Sequence, residues 1–197
     1  RRQRQMCIRD SDYSSKDDYA QKACQEWIDV RSFGQVFAFK SKSDKKDDKK
    51  NKDGVSVGVR GPVSLHQSLS VSPVDINSMQ ITKSVNGETE PKGKKGPDTM
   101  GTKHFVVFGL YVIKGSINVQ LAEKTGFTEE DAEKIKECLR TLFINDSSSA
   151  RPDGSMEVLK VYWWKHKDKL GQYSSAKVHK SLDIKVKDGI SCPQSID

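Results

Sequence analysis

The sequence predicts an α+β domain, an antiparallel sheet with helices on one face. Three observations predict it. Short runs rich in β-branched and aromatic residues recur along the chain, two segments show helical periodicity, and the strand-like runs are broken by single helices instead of alternating with them one for one.

From Lys16 to Ile28, Tyr19, Ala23 and Trp27 recur every four residues, the spacing of a short amphipathic helix. DVRSFGQVFAF (29–39) follows and reads as a strand, with Gly34 marking a bulge or the close approach of another backbone. Residues 40–53 hold seven lysines and four aspartates with no apolar side chain, so they have nothing to bury and read as a disordered loop. The alternation Val55, Val57, Val59 resumes a strand, and Pro62 in Arg60-Gly61-Pro62 stops its ladder. An extended stretch, 64–84, meets a turn-rich, Gly/Pro-rich tip at 86–98, and HFVVFGLYVIKGSI (104–117) returns as the strongest strand signal. Two extended arms around a basic tip make a long hairpin. Thr128-Glu-Glu-Asp131 is a capping-box variant that opens a helix whose apolar face is Ala132, Ile135, Leu139, Leu142 and Phe143. VLKVYWWKH (158–166) and the alternation Leu182, Ile184, Val186 supply the last two strands. This order is that of the RNA-recognition, ferredoxin-like class.

Charge narrows the function. The net charge is +7 and the sequence pI is about 9.1. Between Val158 and Lys187 eight lysines face only Asp168 and Asp183, so most of the excess sits in one window together with Trp163, Trp164 and Tyr173. Cations that meet phosphates and rings that stack on bases suit a nucleic-acid surface, with one of the two tryptophans expected in the core. Cys7, Cys24, Cys138 and Cys192 form no CxxC pair, so neither a zinc site nor another metal is predicted. Cys24 and Cys138 are expected as buried thiols in helices, consistent with a reducing cytoplasm. No run of eighteen apolar residues predicts a membrane span, and no secretory signal is visible. No nucleophile elbow or Gly-rich phosphate loop points to catalysis, and no cofactor is implied.

Residues 1–11, RRQRQMCIRDS, show no periodicity and read as a non-native leader, the other reading being a basic RNA-binding arm. The remainder, 12–197, reads as one domain carrying the 40–53 loop and a hairpin insertion over 74–113.

Several blocks resemble the backbone subunit of type I-C CRISPR Cascade, with the type I-B version as a close relative. They are DVRSFGQVFAF (29–39), VRGPVSL (59–65), SVSPVDINSMQITKSV (70–85), TMGTKHFVVFGLYVIKGSINVQLAEKTGFTEEDAEKI (99–135), NDSSSARPDG (145–154) and WWKHKDKLGQYSSAKVHKSLDIKV (163–186). They run in order over nearly everything from 29 to 186. The family opens with a sheet-centre strand, an Asn-Gly-Asp-Pro turn and a basic helix; since none is visible here, the resemblance implies an incomplete, N-terminally truncated palm. It further implies a thumb hairpin that kinks the guide RNA at regular intervals, and partners that are the guide, target DNA paired to it, further copies of the chain in a helical filament and other Cascade subunits.

A protein that accepts any spacer holds RNA through phosphate, sugar and 2′-hydroxyl groups. Arg31, Ser32 and Gly34 are therefore candidates for a phosphate cradle, the alternative being an Arg31 paired to an acid. In Arg60, Gly61 and Pro62 an arginine adjoins a glycine that permits close backbone approach. Thr82, Lys83, Met100, Gly101, Lys103 and His104, with Ile81, are expected near the base of the hairpin, Met100 or Ile81 as a wedge between bases. Arg151, Lys165, His166 and Lys169 add palm contacts. The expected role is non-catalytic; the alternative is an RNA-cleaving member of the same superfamily, with His104, His166 or His179 as acid–base groups.

Overall fold

The computed structural model describes residues 16–38, 56–82, 100–191 and 193–196. The leader, the 40–53 loop, the hairpin tip and Lys83 lie outside the described residues. The elements run in the order α1 (Lys16–Glu26), α2 (Ile28–Phe33), β1 (Gly34–Ala38), β2 (Ser56–Arg60), β3 (Val63–Leu65), β4 (Leu69–Ser70), β5 (Ile76–Thr82), β6 (Met100–Val106), β7 (Tyr111–Val112) and β8 (Gly115–Ile117). Three helices follow, α3 (Val119–Thr125), α4 (Glu129–Arg140) and α5 (Ser175–Lys180). This is an α+β chain built of small antiparallel pairs: β1–β2, β3–β8, β4–β7 and β5–β6. Its contacts divide it into two units, Arg1–Leu65 with Gly115–Ser175, and His66–Lys114 with Ala176–Asp197.

In the first unit α1 buries Ala20, Ala23 and Cys24 against Val30 of α2 and Phe37 of β1, with Tyr19, Trp27, Val57 and Val59 packed around them. Tyr19 meets Phe37 edge to face at 5.0 Å, a geometry that sets a positive ring edge against a negative ring face. A second cluster joins Val63, Ala122 and Phe127, flanked by Ile117, Ala132 and Ile135. Asn118 caps α3 by accepting from the Leu121 N–H at 2.9 Å, and Gly126 ends that helix in the left-handed conformation. The capping box foreseen at Thr128 is present, with Thr128 Oγ1 accepting from Asp131 N and Asp131 Oδ2 accepting from Thr128 N.

In the second unit β5 and β6 pair from Ile76↔Val106 to Thr82↔Met100. The β4–β7 pair, Leu69↔Val112 and Ser70↔Tyr111, continues the same antiparallel ribbon with its register offset by one residue. Bonds from Val71 N to Leu110 O and from Val107 N to Asp75 O bracket the interruption.

Several expectations are corrected. Residues 29–33 of the expected 29–39 strand are helical, because Val30 is drawn into the core and Gly34, at φ 79°, turns the chain into β1 only afterwards. The expected strand over 104–117 is broken into β6, β7 and β8, each with a different partner. The stretches 158–166 and 182–186 have no ladder among the described residues; alternation marks a strand-compatible sequence but cannot supply the partner a strand requires. The helix carrying Ala132 and Ile135 stops at Arg140, which leaves Leu142 and Phe143 in the turn beyond it. Cys138 is exposed, on the outer side of α4, whereas Cys24 is buried as expected, and burial raises the pKa of its thiol. Neither Trp163 nor Trp164 belongs to a buried cluster. No helix among the described residues is long and apolar enough to cross a membrane.

Candidate nucleic-acid interface

Arg31, Ser32, Gly34, Arg60, Gly61 and Pro62 are brought together. Gly34 faces Arg60 at the end of the β1–β2 ladder, and the chain at Gly61 lies directly against the α2–β1 junction. A Cβ at Gly34 would stand 2.2 Å from Val59 O, and one at Gly61 would stand 2.2 Å from Ser32 O. The close approach foreseen for both glycines is thus made by the chain's own backbone. Ser32 and Pro62 are enclosed by protein, and the Ser32 hydroxyl has no partner among the described residues. Only the Arg60 side chain of this group opens broadly to solvent.

Arg31 has the acidic partner weighed as its alternative. Its Nε donates to Asp131 Oδ2 at 2.8 Å and its Nη2 to Asp131 Oδ1 at 2.7 Å, a bidentate pair between α2 and α4. The guanidinium holds the Asp131 carboxyl down at about 2, helped by the Thr128 N–H, and Asp131 in turn raises the Arg31 pKa. Asp131, which the sequence showed only as a capping residue, therefore organises this region.

The first turn of α4 also receives the lysine-rich segment. Lys165 pairs with Glu129 at that turn, and Lys169 pairs with Glu123 of α3. His166 Nδ1 accepts from the Gln172 N–H at 3.1 Å, closing a turn in which Gly171 N donates to Asp168 O. Arg151 is bound within its own loop, donating to Asp146 at 3.0 and 3.2 Å. Both lysine pairs are open to solvent, where ion pairs add little stability. Lys165→Ala and Lys169→Ala are accordingly expected to leave the urea midpoint unchanged, as measured by circular dichroism.

On the second unit, Thr82, Met100, Gly101, Lys103 and His104 share the β5–β6 ladder. Its register puts Thr82, Met100 and Gly101 at the end next to the 83–99 connection, not at the base where they were expected, and Lys103 and His104 in the middle of the ladder, opposite Met79 and Ser78. Every residue of both strands is exposed. Strand alternation places Met79, Ile81, Lys103 and Phe105 on one face. The other face carries a Ser78 Oγ–His104 Nδ1 hydrogen bond of 2.7 Å and a Gln80 Nε2–Met100 Sδ contact of 3.1 Å. Such a two-stranded ribbon, apolar side chains open on both faces, is only marginally stable alone in water.

Among the described residues, no group of three or more His, Cys, Asp or Glu side chains is placed to hold a metal ion. The features that sequence reasoning missed are Glu123, Glu129 and Asp131 as anchors, and the ring pair Tyr162–Trp164. The three acidic residues at the start of α4 were a visible signal; their partners were not. The model of the family described as CRISPR-associated protein Cas7 matches residues 1–197. No curated protein matches the chain.

Proposed function

The chain belongs to the CRISPR-associated protein Cas7 family, and from that premise we propose that it is a non-catalytic backbone subunit of a type I Cascade complex, of the type I-C kind. Copies assemble head to tail along the guide RNA and present it for pairing with target DNA. Contacts that repeat without closing generate a filament, as such a role requires. The observation that carries this reading, beyond family membership, is the β5–β6 ribbon, exposed on both faces and carrying Lys103 on one of them. A ribbon of that kind gains stability when RNA or a neighbouring copy covers it, the role of a thumb on an RNA-recognition-like palm. The net charge of +7 adds the attraction to phosphate that a sequence-blind binder needs. Arg60, Lys103 and His104 are the side chains we assign first to the guide.

The test is to mix the purified chain with end-labelled guide RNA and follow particle size and RNA integrity together. Ordered multimers on intact RNA are expected. Affinity should fall steeply between about 50 and 200 mM salt and stay the same when the spacer is scrambled. RNA cleavage that disappears on replacing His104 or His166 would give the chain to the RNA-cleaving branch of the superfamily instead. A strong spacer preference would also remove the backbone assignment.

A further inference from the structure

The segment 156–165 lies in the first unit and has the sequence MEVLKVYWWK. Its backbone groups make no backbone–backbone hydrogen bond among the described residues, so its geometry is set by its side chains. Those side chains sort into two sides. Trp163 is half-buried, with Lys136 Nζ of α4 5.8 Å from its ring centroid, a cation–π contact that fastens the segment to the helix. Tyr162 and Trp164, on either side of it, come together instead: their rings stack with centroids 6.0 Å apart and planes 22° from parallel. Each is 48% exposed. Offset stacking at this separation steadies the two rings against each other and leaves their outer surfaces to solvent.

Stacked exposed rings offer a flat apolar surface, and the charge around them favours one occupant. Lys160 lies two residues before Tyr162, and Lys167 lies three beyond Trp164. Neither has an ion-pair partner among the described residues, while Lys165 between them is already paired to Glu129. A flat aromatic pair flanked by open cations matches an unpaired base whose neighbouring phosphates lie on either side of it. A protein surface would have to be acidic to match the lysines and would gain nothing particular from the paired rings. Bases of every kind have a π-face, so such a platform stays blind to sequence.

We propose that Tyr162 and Trp164 form a stacking platform for an unpaired base of single-stranded RNA, with Lys160 and Lys167 meeting the flanking phosphates. This rests on the guide-binding function proposed above and assigns to it a base contact in the first unit, separate from the β5–β6 ribbon. The rings are exposed and engage each other, so removing one leaves the buried clusters intact.

The test uses the full chain, a 20-nucleotide single-stranded uridine oligomer and an RNA duplex of the same length. Tryptophan fluorescence, fluorescence anisotropy and sedimentation are read for unaltered chain, Trp164→Ala and Trp164→Phe. The expected result is that Trp164→Ala weakens binding of the single strand about tenfold and loses part of the quenching, whereas Trp164→Phe retains most of the affinity. Duplex binding, which offers no open base face, should change little in either variant. Unchanged single-strand affinity in Trp164→Ala overturns the platform, as does an equal loss for single strand and duplex. Loss of self-association at unchanged RNA affinity also overturns it, by making the rings a contact between copies. If the oligomer and guide RNA fail to bind even the unaltered chain, the guide-binding function falls first. A circular dichroism melt of each variant separates a folding defect from a lost contact.

Discussion

Replacing Gly61 by alanine is expected to destabilise the first unit sharply and lower its urea midpoint. The added methyl would stand 2.2 Å from Ser32 O and 2.5 Å from the Ser32 and Phe33 carbonyl carbons, well inside van der Waals contact. These are backbone atoms, so no side-chain rotation can relieve the clash. Moving them would displace Ser32 and Val30, both fully buried beside α1, and would pull on the Arg31 pair. Gly34→Ala meets Val59 O at 2.2 Å and Gly61 N at 2.7 Å and adds the strain of φ 79° for a residue with a Cβ. A loss of at least about 3 kcal/mol is expected for either substitution, against a whole stability of about 5–15 kcal/mol for an ordinary domain. The matched control is Gly58→Ala in the middle of β2, where a Cβ meets nothing within 4 Å. That variant should melt with the unaltered chain or slightly above it, since a strand-interior glycine is itself weakly destabilising. Soluble yield and urea denaturation of the three variants rank them. A Gly61→Ala chain as stable as Gly58→Ala would show that the crossing of the two backbones is not as close as described.

What the sequence disclosed divides by the range of the interaction. The capping box at Thr128 was legible because its two partners are three residues apart and its geometry is local. The paired arms 76–82 and 100–106 were legible because Gly, Pro and charge crowd the connection while hydrophobic residues crowd the arms. Gly34 was legible as a place of close approach, though not what approached it. Helix α2 was not: Val30 and Phe33 carry strand preference, and only packing with α1, together with a carboxylate one hundred residues further on, holds Ile28–Phe33 in a helix. At 158–166 the reverse happened, since a sequence with every mark of a strand has no ladder in the described chain. It meets α4 instead through Lys136 on Trp163 and Glu129 beside Lys165, neither of which a local pattern can announce. The candidate site followed the same rule. Residue types were readable, yet whether Arg31 or Arg60 stands open to a phosphate depended on where Asp131 lay.

Asp131→Asn is expected to cost about 3 kcal/mol, the second largest effect. The substitution keeps the shape and leaves an oxygen for the Thr128 N–H, so the helix cap largely survives. What is lost is the charge facing Arg31, whose side chain is only 18% exposed and would remain in place unpaired. Breaking a buried pair from one side typically costs about 3–5 kcal/mol, and the partial exposure of Arg31 puts this case at the low end. Thr128→Ala removes the cap alone and should cost about 1 kcal/mol. Combining Arg31→Met with Asp131→Asn should recover part of the loss, because no uncompensated charge then remains. Acid provides an independent check. The folded carboxyl sits at about 2, below its ordinary 3.8, so its contribution is complete above pH 4 and is withdrawn as pH falls toward 2. That contribution amounts to about 2 kcal/mol. Urea midpoints measured from pH 6 to pH 2 should therefore converge for the unaltered chain and Asp131→Asn as acid neutralises the carboxylate. Parallel curves would assign the loss to packing around Asp131 and not to its charge.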